Sequence, residues 1–187
     1  MSGRTRGVAA GLAIGLSAAA LLHQMRAELI TTGRLSKPTV RWMYAAYGTH
    51  AAATAAALVA RAGPLRVPRL AVWLGGGLTA TGTALVVAGM RRFAGPGQVS
   101  GTDPGPLITG GVYRFSRNPQ YTGYVLALGG LALARRSGGG AAAAAAVGIV
   151  YRWWIPVEER HLKRQFGTDY RTYLNRTSRW LGRPRSG

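Results

Sequence analysis

The sequence predicts an all-α, polytopic membrane protein with about five transmembrane helices and a cytosolic, amphipathic C-terminal helix. Two observations carry this prediction. Hydrophobic residues make up 48% of the 187 residues and occur in long blocks, and the basic residues fall almost wholly between those blocks. A net charge of +19 also suits a nucleic-acid binder. A soluble nucleic-acid-binding protein of this size rarely contains several long apolar blocks, so we expect a membrane protein with no nucleic-acid partner.

Five apolar segments are candidates for the membrane spans. A span needs roughly 20 apolar residues, and the third segment is the clear case. The fourth and fifth are short and are separated by residues 135–140, so we expect a tight helical hairpin whose ends are extended by snorkelling arginines and by aromatic residues. The segments run from Gly7 to Leu22, Trp42 to Ala60, Leu70 to Met90, Tyr121 to Ala134, and Ala141 to Ile155.

The distribution of Lys and Arg predicts the orientation. With five spans, sixteen basic residues fall on the side of the C-terminus and seven on the other side, leaving out Arg152 inside the fifth segment. The positive-inside rule then places the C-terminus in the cytoplasm, and we expect a bacterial plasma membrane. Arg4 and Arg6 argue locally for the opposite orientation. A cleaved signal peptide is the alternative for the first segment, but four more apolar segments follow it.

The chain is expected to form a single membrane domain, 1–187, with four parts: three N-terminal spans (1–90), a loop (91–120), the helical hairpin (121–155), and a cytosolic helix and tail (156–187). The loop is rich in Gly and Pro, and long loops in compact domains are often functional. The last part has an amphipathic pattern that we expect to break at Gly167 and to end near Gly182. Its apolar face comprises Leu162, Phe166, Tyr170, Tyr173 and Leu174.

Charged residues near the end of the fifth segment are candidates for chemistry. Glu158 and Glu159 follow an aromatic membrane boundary, and an i,i+4 pair of Glu159 with Lys163 is the ordinary structural explanation. Arg152 either snorkels or holds an anionic group of a substrate. The chain has no Cys, and its three His lack the spacing of metal ligands, so no metal site is expected.

A polar and aromatic stretch, residues 110–123, leads into the fourth segment. Pro119 suits the first turn of a helix and Asn118 suits its N-cap, which explains those two residues as structural. Helix capping does not explain why Tyr113, Arg117 and Tyr121 occur beside them.

These residues resemble a known family. Gly111-x-Tyr113, followed by Arg117-Asn118-Pro119-x-Tyr121-x-Gly123, is similar to the G-x-Y…R-H-P-x-Y-x-G motif of the isoprenylcysteine carboxyl methyltransferases, whose relatives include phospholipid N-methyltransferases. A second block resembles that family's E-E-x-x-L-x-x-x-F-G-x-x-Y-x-x-Y motif: it begins at Glu158-Glu159 and ends at Tyr173. The resemblance covers roughly residues 90–180, and the two blocks have the family's order and separation.

The resemblance implies a membrane enzyme that uses S-adenosylmethionine. It places the cofactor between the last two spans, the preceding loop and the C-terminal helix. Glu158 would take the cofactor's ammonium group, and Leu107 and Ile108 would contribute backbone groups. The family usually has His where this chain has Asn118, which cannot titrate near neutral pH. The implied cofactor-binding residues are Gln98, Leu107, Ile108, Tyr113, Asn118, Pro119, Tyr121 and Glu158.

Arg152, Glu159 and Arg117 are the candidate catalytic residues. Arg117 could pair with the cofactor carboxylate, and Arg152 could grip a carboxylate on the acceptor with its two-pronged guanidinium. Methyl transfer is an in-line displacement, so alignment supplies much of the catalysis. A carboxylate or thiolate acceptor needs no general base. The acceptor is expected to be lipidic or small and hydrophobic, like an isoprenylated cysteine.

Two other functions stay open on the sequence alone. Sterol-reductase-like NADPH enzymes have a similar C-terminal motif, but they continue with an acidic residue where this chain has Tyr124 after Gly123. A non-catalytic membrane protein that binds anionic lipid through its basic tail is the second alternative.

Overall fold

The computed structural model describes the backbone of residues 3–184 and the side chains from residue 15 onward. Arg185 and the side chains of Arg4 and Arg6, which entered the predicted topology, lie outside that part. The described chain is helical throughout and has no β-strand. The helices are α1 (Gly3–Thr31), α2 (Lys37–Val59), α3 (Arg69–Met90), α4 (Pro96–Ser100), α5 (Pro119–Ala134) and α6 (Gly138–Arg176), with a 3₁₀ turn at Gly111–Arg114.

Five long helices correspond to the five predicted segments. Among residues 3–184, α3 and α6 are the two helices long and apolar enough to cross a membrane. The outward faces carry bare aromatic side chains: Trp73 on α3 is 79% exposed and Trp153 on α6 is 73% exposed. Exposed apolar faces of this size suit lipid contact.

The closest helix pair, α3 and α5, packs through glycines. The buried residues of α3 are Gly75, Gly82 and Gly89, which recur every seven residues. A Cβ atom at Gly75 would lie 2.6 Å from the Gly130 carbonyl oxygen and 2.8 Å from the Ala134 nitrogen. The backbones of the two helices are therefore in direct contact, the arrangement that small residues permit in membranes.

The predicted hairpin of α5 and α6 is confirmed as a tight connection. Ser137 is the N-cap of α6: its hydroxyl accepts a hydrogen bond from the Gly140 amide at 3.0 Å and donates one to the Ala57 carbonyl at 2.9 Å. The polar turn therefore caps one helix and also fastens it to the end of α2. The glycines that follow Ser137, expected in the connection, instead form the first turn of α6.

The last helix departs from the predicted division between a fifth span and a separate cytosolic helix. α6 runs 39 residues from Gly138 to Arg176 without a gap between the two parts. The predicted break at Gly167 is confirmed, because this residue has φ 49° and ψ −117° inside the helix. Glycine tolerates that conformation because it lacks a Cβ. The helix ends at Arg176, short of the end expected near Gly182.

A carboxylate joins α1 to α2. Glu28, near the end of α1, accepts hydrogen bonds from the amide and the hydroxyl of Ser36, both at 2.8 Å. It also accepts bonds from the Thr39 hydroxyl at 2.7 Å and the Gln24 amide at 2.9 Å. Ser36 is the N-cap of α2, so a single carboxylate fixes the entry of the second helix.

Candidate functional site

A cavity of about 670 Å³ lies among the helices of the described part of the chain. Such a volume lies within the range of roughly 300–1,000 Å³ typical of small-molecule sites. Its wall is built from the end of α1, the first half of α2, the end of α3, the loop after α3, the start of α5 and the middle of α6. It therefore lies where the two motif blocks of the sequence meet.

Nine of the eleven predicted site residues line this cavity. Pro119 and Arg152 are not part of its wall. Pro119 is fully buried and lies against Gly89 of α3, so it fixes the start of α5. Arg152 is exposed on α6 and forms no ion pair with Glu159. The cavity gives no support to its predicted contact with an acceptor, which stays a prediction. The nine are Gln98, Leu107, Ile108, Tyr113, Arg117, Asn118, Tyr121, Glu158 and Glu159.

Glu159 lies between two arginines. Arg117 donates to its Oε1 from Nη2 at 2.8 Å, and Arg179 donates to its Oε2 from Nη2 at 2.6 Å. Its side chain is only 7% exposed. Burial raises the pKa of Glu159, but the hydrogen bonds and charges of Arg179 and Arg117 outweigh burial and lower it. Glu159 is thus a fully paired, ionised group.

Arg117 has little donor capacity left. Besides Glu159, its Nη1 donates to the carbonyls of Leu174 and Thr177. The Arg117 amide donates to the Ser178 carbonyl at 2.9 Å. These bonds join the start of α5 to the segment after α6. Together with the bonds to Glu159, they use most of the N–H donors of the Arg117 guanidinium. The predicted contact of Arg117 with the cofactor carboxylate stays a prediction.

Glu158 has different surroundings from its neighbour. Its Oε2 accepts a hydrogen bond from the Tyr121 hydroxyl at 2.9 Å. In the described part of the chain no Lys or Arg forms an ion pair with it. It follows Ile155, where the fifth apolar segment ends. Burial raises the pKa of Glu158, and the Tyr121 hydroxyl opposes that rise. A carboxylate on a cavity wall without a cation is a site for a positively charged ligand group.

Asn118 acts differently from the predicted N-cap. It occupies the N-cap position of α5, but its side chain makes no capping hydrogen bond. The side-chain nitrogen Nδ2 of Asn118 instead donates to the Arg179 carbonyl at 3.0 Å. The side chain therefore holds the segment after α6 against α5. This segment also carries the arginine that pairs with Glu159.

Two further hydrogen bonds fix the loop side of the cavity. The Tyr113 hydroxyl donates to Gln120 Oε1 at 3.0 Å, and the Tyr173 hydroxyl donates to the Tyr113 carbonyl at 2.8 Å. The Gln98 side chain connects two parts of the loop after α3. Its Oε1 accepts a hydrogen bond from the Ala94 amide at 2.9 Å, and its Nε2 donates one to the Pro106 carbonyl at 2.7 Å. Gln98 therefore shapes the loop that carries Leu107 and Ile108.

The N-terminal helices supply wall residues that the sequence analysis did not assign. Tyr44 and Tyr47 of α2 line the cavity, as do Met25 and Leu29 of α1. Tyr44 and Tyr47 are three residues apart and so share a helix face. That spacing near the start of an apolar segment was the available signal. It is equally typical of an interfacial aromatic belt. His161 of α6 also lines the cavity.

The aromatic side chains concentrate on one part of the wall. The rings of Tyr121 and Tyr151 lie 4.5 Å apart between centroids, and those of Tyr124 and Tyr151 lie 6.3 Å apart. Within the described residues, no cluster of His, Asp or Glu could hold a metal ion. Apart from the exposed Asp103, Glu158 is the carboxylate of the cavity wall without an ion pair, and it lies beside several aromatic rings, a combination suited to an organic cation.

Comparisons with known proteins identify the family of this chain. Comparison with curated proteins and with solved structures gave no match. A family model described as phospholipid methyltransferase matches residues 70–169, which is more than half of the chain. The match includes nearly all of α3, the loop after it, α5 and the part of α6 that carries the two glutamates. The chain therefore belongs to the phospholipid methyltransferase family, a family of integral membrane methyltransferases.

Proposed function

We propose that this protein transfers a methyl group from S-adenosylmethionine to a lipidic or small hydrophobic acceptor at the membrane interface. The cofactor lies in the 670 Å³ cavity. Membership of a methyltransferase family gives the reaction class. The observation that carries the choice of cofactor is Glu158, a cavity carboxylate that hydrogen-bonds Tyr121 and lacks an ion-pair partner.

The charges of S-adenosylmethionine suit this wall. The cofactor carries an ammonium and a sulfonium, and each needs a compensating group when water is removed. Glu158 pairs with the ammonium. The rings of Tyr121 and Tyr151 offer electron-rich faces to the sulfonium, a cation–π contact worth roughly 0.5–2 kcal/mol. We assign Glu159 and Arg117 a positioning role, because they are already bonded to each other.

The acceptor is proposed to be hydrophobic because of the other part of the wall. Met25 and Leu29 of α1 and Met43 of α2 extend the cavity with apolar surface. An isoprenylcysteine-like carboxylate fits this chemistry, since an anionic acceptor needs no general base. Asn118, which cannot titrate, is consistent with an acceptor of that kind.

Substitution of Glu158 tests the cofactor assignment. We expect Glu158→Gln to weaken the binding of S-adenosylhomocysteine, measured by calorimetry in detergent, by about 1.5–3 kcal/mol, the value of a charge-assisted hydrogen bond. Asp169→Asn is the matched control, because it also removes one carboxylate but lies exposed on α6 outside the cavity. Equal affinities in the two variants would remove Glu158 from the site.

The same titration separates this function from a reductase. NADPH carries several phosphate charges, and a cavity with an unpaired carboxylate disfavours them. We therefore expect the wild-type protein to bind S-adenosylhomocysteine and not NADPH. Binding of NADPH alone would contradict the proposed function.

We also propose that α1, α2, α3, α5 and α6 all cross the membrane, with the C-terminus in the cytoplasm. The support is the position of the five apolar segments and the excess of basic residues on one side. The loop after α3, the start of α5 and the end of α6 then share the cytoplasmic side, where S-adenosylmethionine is available.

A further inference from the structure

We propose that the protein has a second ligand site, separate from the methyl-transfer cavity, that binds the headgroup of an anionic phospholipid. The site is a cavity of about 410 Å³ between the loop before the 3₁₀ turn and the end of α6. It is lined by Thr109, Gly110, Arg114, Tyr173, Arg176, Thr177 and Pro184. None of the motif-based assignments uses its two arginines.

The charge of this second cavity is wholly positive. Arg114 and Arg176 are both exposed, and neither forms an ion pair with a carboxylate in the described part of the chain. No Asp or Glu is among the lining residues. A third guanidinium, that of Arg92, lies close to Gly110 and Gly111. Unpaired guanidinium groups around a small cavity favour a phosphate, which can accept two hydrogen bonds from each of them.

Exposed apolar residues adjoin the lining residues along the chain, and we call them the apolar border: Phe115 follows Arg114, and Trp180 and Leu181 lie between Thr177 and Pro184. Phe115 is 50% exposed, Trp180 is 40% exposed and Leu181 is 55% exposed. The Gly182 amide donates to the Phe115 carbonyl at 2.9 Å, which joins the two backbone segments that carry these residues. Apolar residues beside the cavity would contribute nothing to the binding of a soluble phosphate, whereas they would contribute to the binding of a phospholipid, because its acyl chains lie beside its headgroup.

The place of the site in the fold fits a lipid surface. Phe115 comes just before α5 begins at Pro119, so it lies near the end of a helix of the membrane domain. Aromatic residues beside arginines are typical of the membrane interface, where each basic residue near an anionic surface contributes about 1 kcal/mol. The chain's net charge of +19 adds to this complementarity.

The second site contacts the first through two connections. Tyr173 lines both cavities, and its hydroxyl bonds the Tyr113 carbonyl. Arg179, beside the exposed Trp180, pairs with Glu159. Lipid bound at the second site therefore stabilises the segment whose Arg179 pairs with Glu159.

Native mass spectrometry of the full-length protein in detergent tests the proposal. The protein is titrated with phosphatidylglycerol, with phosphatidylcholine, and with inorganic phosphate. We expect phosphatidylglycerol to be retained more strongly than phosphatidylcholine, and the double variant Arg114→Gln/Arg176→Gln to lower that affinity by about tenfold or more. Arg164→Gln/Arg171→Gln is the matched control, since it removes two exposed arginines of α6 outside this cavity.

A second variant tests the apolar border and serves if the first one fails to fold. Phe115→Ser/Trp180→Ser should weaken phosphatidylglycerol binding and leave phosphate binding unchanged. Equal losses in the cavity and control arginine variants would overturn the site. Phosphate that displaces phosphatidylglycerol, with no effect of the border variant, would identify a soluble anion as the ligand and overturn the lipid assignment. Retention of S-adenosylhomocysteine affinity in the border variant would show the two sites to be separate.

Discussion

Two adjacent carboxylates of α6 show how strongly position decides chemistry. Glu159 is paired with Arg117 and Arg179, whereas Glu158 is bonded to a tyrosine hydroxyl and borders the cavity. A buried charge already held by two guanidinium groups has little attraction left for a ligand. Glu158, which has no ion pair, keeps its attraction for a positively charged group. Under the proposed function, the pair therefore divides into a positioning residue, Glu159, and a ligand-binding residue, Glu158.

Glu28 makes the stability of the α1–α2 connection dependent on pH. Burial alone would raise its pKa, but hydrogen bonds from Ser36, Thr39 and Gln24 outweigh burial and lower the pKa from 4.5 to about 2. A carboxyl with a depressed pKa in the folded state contributes stability that is fully present above its unfolded value. That stability is lost as the pH falls toward 2.

We therefore expect Glu28→Gln to lower the thermal unfolding midpoint in detergent at pH 7, and this difference to shrink at pH 3. The reason is that between pH 4.5 and about 2 the carboxyl is protonated in the unfolded protein but ionised in the folded one, so folding must release a proton and the advantage over Gln decreases. Asp169→Asn, at an exposed position, is the control and should change neither midpoint. An equal loss of stability at both pH values would show that the carboxylate charge is not what matters.

Most of the residues that the sequence predicted for the site line the cavity, but their hydrogen-bond partners were not predicted. The motif spacing placed Tyr113, Tyr121 and Glu158 on one cavity, as the structure has them. It could not place Arg117 on Glu159, because those residues are 42 positions apart. Only the packing of α5 against α6 brings them together. The i,i+4 partner expected for Glu159, Lys163, forms no ion pair with it.

The contact between α3 and α5 requires glycine at specific positions of α3. We expect Gly82→Ala to destabilise the protein by roughly 1–3 kcal/mol, the usual cost of overpacking. The added Cβ would meet the backbones of Gly123 and Ala127, which cannot move aside like a side chain. Denaturant titration in detergent measures the change.

Gly77→Ala is the matched control for this substitution. Gly77 lies on the same helix, and a Cβ atom there meets nothing within 4 Å. It should be neutral or should stabilise the helix by about 0.5–1 kcal/mol, because alanine loses less conformational freedom than glycine. A loss at Gly77 as large as that at Gly82 would point to a change at the lipid-facing surface as the cause, and not to the α3–α5 contact.

Helix ends were predicted more accurately where the sequence contains strong signals. The third segment was expected from Leu70 to Met90 and forms α3 from Arg69 to Met90. Pro119 begins α5 as expected. The continuity of α6 across the end of the apolar segment was not foreseen. A change from apolar to charged residues alters what a helix contacts without interrupting its backbone hydrogen bonds.

At the scale of the whole molecule, the proposed five-span topology has a direct test. Reporter fusions at the two ends should give opposite signals, with the C-terminal fusion active in the cytoplasm, because an odd number of spans separates the termini. A fusion in the connection between α2 and α3, residues 60–68, should lie on the side of the membrane opposite to the cytoplasm. Its signal should therefore be opposite to that of the C-terminal fusion. Matching signals at the two ends would mean an even number of spans.

The N-terminal helices are part of the site although the two motifs lie outside them. α1 and α2 complete the cavity with Met25, Leu29, Tyr44 and Tyr47. The family match begins only at residue 70. The sequence could not assign these helices a function, because apolar and aromatic residues line a cavity and face lipid equally well. Their role became visible only once the position of α6 against them was known.

The glycine contacts between α3 and α5 also limit how this protein can evolve. Gly75 and Gly82 of α3 and their partners Gly130 and Gly123 on α5 leave no room for a side chain, because a Cβ atom at each would lie less than 3.0 Å from backbone atoms of the facing helix. Exposed residues of the same helix, such as Trp73 and Leu74, are free of that restriction. Mutations should therefore accumulate unevenly along this helix, with fixed sites seven residues apart in an otherwise variable sequence.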